Sequence, residues 1–197
     1  MIKSVLFDMD GVLIDSFDIC FDSFNFVLSN FGYKTFDKKE YRKRFWGFFI
    51  ERDFKIATKA NDDKINEMVK FYTKNYPKFI KEIKVYDNVP DVLKKMKKQK
   101  LKLAVITSTL REVTKKILLY FKLLKFFDVI VCGDDVKNPK PEPDMIFEAC
   151  KKLNVRPEEC LVVGDTESDE KAAKAANSKF ILVRNENDLK KIISKLP

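Results

Sequence analysis

Histidine is missing from all 197 residues, so imidazole is unavailable as an acid, a base or a metal ligand. Proton transfer must then fall to other groups, carboxylates first. Glycine is scarce, with five in the chain, and no flexible Gly/Ser linker, internal repeat or low-complexity tract occurs. The four cysteines, Cys20, Cys132, Cys150 and Cys160, form no CxxC pair, and a zinc site would want histidines or closer spacing. Cys132 and Cys160 fall in or beside apolar runs, where cysteine serves as a small buried hydrophobe. All four are expected to be reduced and structural. Charge interrupts every apolar stretch, so none approaches the roughly 20 residues a membrane helix needs. The N-terminus runs straight into an apolar segment with no basic leader or cleavage site, which gives the expectation of a cytoplasmic protein without membrane attachment.

The remaining composition is that of a globular protein, 45% hydrophobic and 35% charged. A chain of this length holds one domain with a real core, or a core plus a small insert. Net charge is +9, from 39 Lys and Arg against 30 Asp and Glu. The lysines are spread along helical segments, as in Lys94-Lys95-Met96-Lys97-Lys98, which marks solvated helix faces rather than a nucleic-acid surface. A general positive field would also gather phosphorylated substrates.

Five short apolar runs read as strands, at about 2–7, 101–107, 128–132, 160–163 and 179–183. From the second onward they alternate with helical segments at about 88–99, 110–123, 143–153, 167–176 and 187–195. That alternation predicts a parallel sheet covered on both faces. Residues from about 16 to 83 break it and read as helices at about 16–30, 37–45, 50–60 and 62–76, with Pro77 a kink or restart. Asp62 and Asp63 suit the N-cap or first turn of the last of these.

The first strand stops at Asp8-Met9-Asp10-Gly11. Two carboxylates two residues apart start on the same side of an extended segment. Such a pair invites a hard cation, and one Asp can act as nucleophile while the other handles protons. A surface turn with two solvated acids is the alternative reading of these residues alone. Three further segments narrow the choice: Thr107 ending Leu103-Ala104-Val105-Ile106, Lys140-Pro-Glu-Pro-Asp144, and Gly164-Asp165 continuing to Asp169. In this order the four segments resemble the motifs of the haloacid dehalogenase-like superfamily, in its capped phosphoglycolate phosphatase and beta-phosphoglucomutase-like branch.

The resemblance implies a Rossmann-like α/β core of residues 1–15 and 84–197, with a helical cap, 16–83, inserted after the first strand. It implies that Asp8 attacks phosphorus and that Asp10 protonates the leaving oxygen and then activates water. Relatives that are dehalogenases or P-type ATPases lack the second Asp, so the DxD form points to phosphate esters. Mg2+ would be held by Asp8, the backbone carbonyl of Asp10 and Asp165. Asp169 would act through water, with Glu167 competing for that place. Thr107 and the backbone N–H of Ser108 would bind phosphate. Lys140 would pair with phosphate and with Asp8, with Lys137 its rival, and Gly11 would permit the tight turn.

Substrate choice is expected to lie in the cap, where Arg44 and Arg52 flank the aromatic turn Trp46-Gly47-Phe48-Phe49. An arginine there, Arg52 foremost, could grip a second anionic group; the bland reading makes the aromatics cap core and the arginines surface. The resemblance thus implies a phosphatase of a small anionic phosphorylated metabolite, working as a monomer or weak dimer. A pyrophosphatase, a sugar phosphomutase and a non-enzymatic phosphate-sensing module are the alternatives. The phosphomutases carry a cap histidine where this chain has Cys20.

Overall fold

The first apolar run becomes the middle strand, β1 (Ser4–Phe7), of a five-stranded parallel sheet in a computed structural model that describes residues 1–184, 188, 189 and 192. On one side lie β4 (Lys102–Thr107) and then β5 (Val129–Cys132). On the other lie β6 (Cys160–Gly164) and then β7 (Lys179–Leu182). The chain builds one half of the sheet, then crosses β1 to build the other. Because β1 pairs with both β4 and β6, the residues after these three strands emerge side by side. Open parallel sheets bind ligands at that kind of crossover, outside the carboxyl ends.

Both faces of the sheet are covered, so its strands alternate between two apolar cores rather than between core and water. Val5, Phe7, Leu103, Val105, Leu161 and Val163 face the larger core, with α5 (Val89–Lys98) and α6 (Arg111–Tyr120). Leu6, Ala104, Ile106 and Val162 face the smaller one, with α7 (Asp144–Leu153) and α8 (Glu167–Ala175). Small residues Ala149, Ala172 and Ala173 line that second face, which lets the helices approach the sheet closely. The helix expected at 187–195 lies mostly outside the described residues.

Between β1 and α5 the chain departs into four helices, α1 (Phe17–Asn30), α2 (Lys38–Arg44), α3 (Ile50–Thr58) and α4 (Asp62–Asn75). Asn61, not Asp62 or Asp63, caps α4, its side chain accepting from the Lys64 N–H, while the two acids occupy the first turn. Pro77 sits in a 3-10 turn after that helix. Phenylalanine fills this block: Phe24 lies parallel to Phe54 at 5.3 Å and also meets Tyr41 and Phe45. Few long side chains with two torsions each give a small helical unit a large buried area at low entropic cost. The block is tied to the core by β2 (Ile14–Asp15) and β3 (Lys84–Val85), an antiparallel pair where the chain leaves and returns. At two residues each, these strands are too short for periodicity to reveal.

Candidate active site

Immediately after β1 the backbone turns back on itself, with the Met9 carbonyl accepting from the Leu13 and Ile14 N–H groups. Gly11 makes this turn at φ +77°, and a Cβ there would stand 2.3 Å from the Asp165 carboxylate. Both the left-handed backbone and the close approach exclude a side chain. The turn leaves Asp8 buried at the strand end and Asp10 beside it.

Asp8 Oδ1 accepts from Lys140 Nζ at 2.7 Å. The same ammonium donates to Asp169 Oδ1 at 2.7 Å and to the Ile106 carbonyl at 3.1 Å. With Lys140 only 4% exposed, all three of its donors are spent inside the protein. Burial pushes the Asp8 carboxyl well above the usual range, while Lys140 pulls it down. Lys137, the sequence rival, is exposed and away from these groups. Lys140 is the buried cation of the site.

Asp10 is held on both oxygens. Its Oδ1 accepts from Ser16 Oγ at 2.6 Å, and its Oδ2 accepts from Thr109 Oγ1 at 2.8 Å and more weakly from Thr107 Oγ1 at 3.4 Å. Burial raises its pKa, and the Ser16 and Thr109 hydroxyls lower it. Thr107 also accepts from the Thr109 N–H at 3.1 Å. The Ser108 hydroxyl turns the other way and donates to the Gly47 carbonyl of the aromatic turn at 3.2 Å.

Asp165 and Asp169 come from β6 and α8. Asp169 closes a capping box with Thr166: its Oδ2 accepts from the Thr166 N–H at 3.1 Å and hydroxyl at 2.5 Å. Thr166, not Asp165, is the N-cap. Glu167 lies in the exposed first turn, paired with Lys171, and takes no part. Asp165 Oδ2 accepts from the indole N–H of Trp46 at 3.1 Å, whereas its buried Oδ1 has no hydrogen-bond partner. Burial, with the nearby Asp169 charge, pushes the Asp165 carboxyl up to about 7.

Asp8, Asp165 and Asp169 each present an oxygen within 4.8 Å of the others. Three converging carboxylates, one with a partnerless buried oxygen, form a hard, all-oxygen donor set of the kind Mg2+ takes. These residues fit such an ion. Asp169 already gives its oxygens to Lys140 and Thr166, which suits contact through water better than direct ligation.

A cavity of about 40 Å³ lies over Asp8 and Asp10, roofed by the helical block. Trp46 and Gly47 bring the aromatic turn down onto the sheet domain. Gly47, at φ +84°, packs so closely that a Cβ would stand 2.8 Å from Thr166. Arg52 does not reach the cavity. Its guanidinium lies 3.8 Å over the Phe48 ring and donates to Asp53 Oδ1 at 2.8 Å and to the Arg44 carbonyl at 3.3 Å. Arg44 stacks over Phe36 and Phe45. Asp53, 2% exposed, is what α3 presents to the cavity, and burial pushes it up to about 8 against the pull of Arg52.

The haloacid dehalogenase-like hydrolase family matches residues 5–183. The chain belongs to this family. It is 33% identical over 183 residues to pyrophosphatase PpaX of Bacillus cereus, covering 92% of this chain and 83% of that protein. PpaX of Halalkalibacterium halodurans is also 33% identical, over 186 residues. Among solved structures, CbbY from Rhodobacter sphaeroides in complex with phosphate superposes at a TM-score of 0.83 and 26% identity, over 94% of this chain and 87% of that one. A "predicted phosphatase" from Clostridium acetobutylicum gives 0.85 and 27%, covering both chains completely. As a member of the haloacid dehalogenase-like hydrolases, the protein is an enzyme of the phosphatase kind.

Sequence reading missed Ser16, Asp53, Thr109 and Thr166, and it named Trp46 only as part of the aromatic turn. The run Thr107-Ser108-Thr109 did signal hydroxyls at the strand end, without saying which would face Asp10. Asp53 had a readable signal: with Ile50 and Phe54 it falls on the one buried stripe of α3, at i, i+3 and i+4.

Proposed function

We propose that the protein is a Mg2+-dependent phosphatase that releases phosphate from a small phosphorylated metabolite through an aspartyl-phosphate on Asp8. The observation that carries this reading is the Lys140 ammonium bridging Asp8 and Asp169 at 2.7 Å each, beside a carboxylate cluster and beneath the helical block. A cation on Asp8 favours its ionised form against the effect of burial and holds it in place as a nucleophile.

In the first displacement an Asp8 oxygen bonds to phosphorus and the bond from phosphorus to the leaving oxygen breaks. Asp10 gives its proton to that oxygen. Its raised pKa, with Ser16 and Thr109 fixing the carboxyl, suits it to hold that proton. In the second, a water oxygen bonds to phosphorus, Asp10 takes the water proton, and the Asp8–phosphorus bond breaks to free phosphate. The hydroxyl of Thr107 and the backbone N–H groups of the loops after β1 and β4 face the phosphoryl oxygens. Asp8, the Asp10 carbonyl and Asp165 would hold Mg2+, with Asp169 outside them; bound there, it neutralises phosphoryl charge. Closure of the helical block excludes bulk water from the intermediate.

The deciding experiment measures released phosphate from a panel of phosphorylated metabolites, inorganic pyrophosphate and an aryl phosphate, with and without Mg2+. Turnover that requires Mg2+ and disappears in Asp8→Asn supports the reading. Absence of phosphate release from every compound would refute it.

A further inference from the structure

We propose that the substrate's leaving group is uncharged and hydroxyl-bearing, and that Asp53 rather than Arg52 is the cap residue that reads it. The inference rests on the phosphatase reading above and specifies its substrate. It begins from the composition of the cavity wall. On the helical-block side, facing Asp10, the polar lining comes from Asp53, Tyr41, Tyr72, the Cys20 thiol and Trp46, whose N–H is given to Asp165, and the apolar lining includes Phe45 and Ile50. No lysine or arginine lines the cavity among the described residues.

A second phosphate or a carboxylate on the substrate would therefore be buried against a carboxyl and two phenols with no cation to pair it. Burying an unpaired anion is among the most costly arrangements in a protein interior. A hydroxyl, by contrast, can donate to Asp53 and accept from a tyrosine. The one nearby guanidinium is already committed. Arg52 is 42% exposed along its side chain and holds Asp53 from the solvent side, so Asp53 does not call for a cationic substrate either. Asp53 sits on the buried stripe of α3 and Arg52 on the exposed one.

The test compares kcat/KM, read as released phosphate with Mg2+, for glycerol phosphate, phosphoglycolate, inorganic pyrophosphate and an aryl phosphate. The expected result is that glycerol phosphate exceeds both anionic compounds by about tenfold or more, since a buried group left without its partner is discriminated against strongly. Aryl phosphate turnover with phosphoglycolate or pyrophosphate equal to or ahead of glycerol phosphate overturns this inference and leaves the phosphatase reading standing. No release from any of the four overturns both. In Asp53→Asn, similar in shape, the ratio of glycerol phosphate to phosphoglycolate should fall about tenfold; an unchanged ratio in folded variant protein removes Asp53 from specificity. Arg52→Gln should keep the order of substrates, and a selective loss of phosphoglycolate turnover in that variant would return the role to Arg52.

Discussion

Replacing Trp46 with Phe removes a single N–H from the helical block and should be felt at Asp165, the carboxylate proposed to hold Mg2+. The indole N–H donates to Asp165 Oδ2 at 3.1 Å, and the other Asp165 oxygen has no protein partner. The ring itself packs edge-on against Phe17, centroids 5.1 Å apart, and a phenyl group keeps that contact. The substitution thus isolates one hydrogen bond to a charged group, worth about 1.5–3 kcal/mol in a partly buried setting. Some of this returns when Asp165 meets water or rotates, so a net loss near 1.4 kcal/mol, about tenfold in affinity, is the working figure. It lies at the lower end of the about 10–100-fold effect of removing a group that orients a metal ligand. Two assays read it: Mg2+ titration of phosphate release, and calorimetric Mg2+ binding without substrate. In the wild type, the chain's one tryptophan should also change its fluorescence as Mg2+ binds. A Trp46→Phe variant with unchanged melting temperature and Mg2+ affinity within twofold of wild type would show that the cap does not orient Asp165.

Asp8→Asn should lower kcat by more than about a hundredfold while leaving the melting temperature near that of wild type, because an amide is a poor nucleophile; stopped phosphate release against a thermal melt checks it. Excess chelator should abolish activity and Mg2+ should restore it, and Asp165→Ala should raise the Mg2+ concentration needed; full activity in chelator would contradict the cation site. Burial raises Asp53 from the usual carboxylate range to about 8. Between those values the folded protein binds a proton that the unfolded chain has lost, so this group's contribution to stability declines as pH rises through that window. Asp53→Asn should flatten that decline in denaturant melts taken from pH 5 to about 9, whereas an unchanged slope would assign it to other groups.

The sheet and the sites at its strand ends were legible because they rest on signals that need no tertiary knowledge. Leu103 to Ile106 and Leu161 to Val163 are uninterrupted apolar runs, and a strand buried on both faces produces no other pattern. Asp8, Thr107 and Asp165 follow such runs directly, so once β1 takes the centre of the sheet the three are neighbours. Lys140 was legible through the proline-rich segment it opens. The cap was legible as four helices, yet not in what it presents to the site. Arg52 and Asp53 are adjacent in sequence and bonded to each other, yet one lies on the exposed and the other on the buried stripe of α3, and which of them faces the cavity depends on how Phe24, Phe45 and Phe54 pack. Trp46 and Thr109 escaped for a similar reason: each acts through a partner more than 90 residues away, Asp165 and Asp10, the first met where the helical block packs on the sheet domain and the second because β4 lies beside β1. The paired strands Ile14–Asp15 and Lys84–Val85 carry too few residues to show alternation.

The covalent role proposed for Asp8 is tested most directly by mixing enzyme, Mg2+ and a turned-over phosphate ester, quenching with acid within the first turnover, and locating any phosphoryl group by peptide mass spectrometry. A phosphoryl adduct on the peptide carrying Asp8, present at early times, lost as substrate is exhausted and absent from Asp8→Asn, is the predicted result. Phosphate release at the normal rate with the Asp8 peptide unmodified throughout, or with the phosphoryl group on another residue, would contradict it.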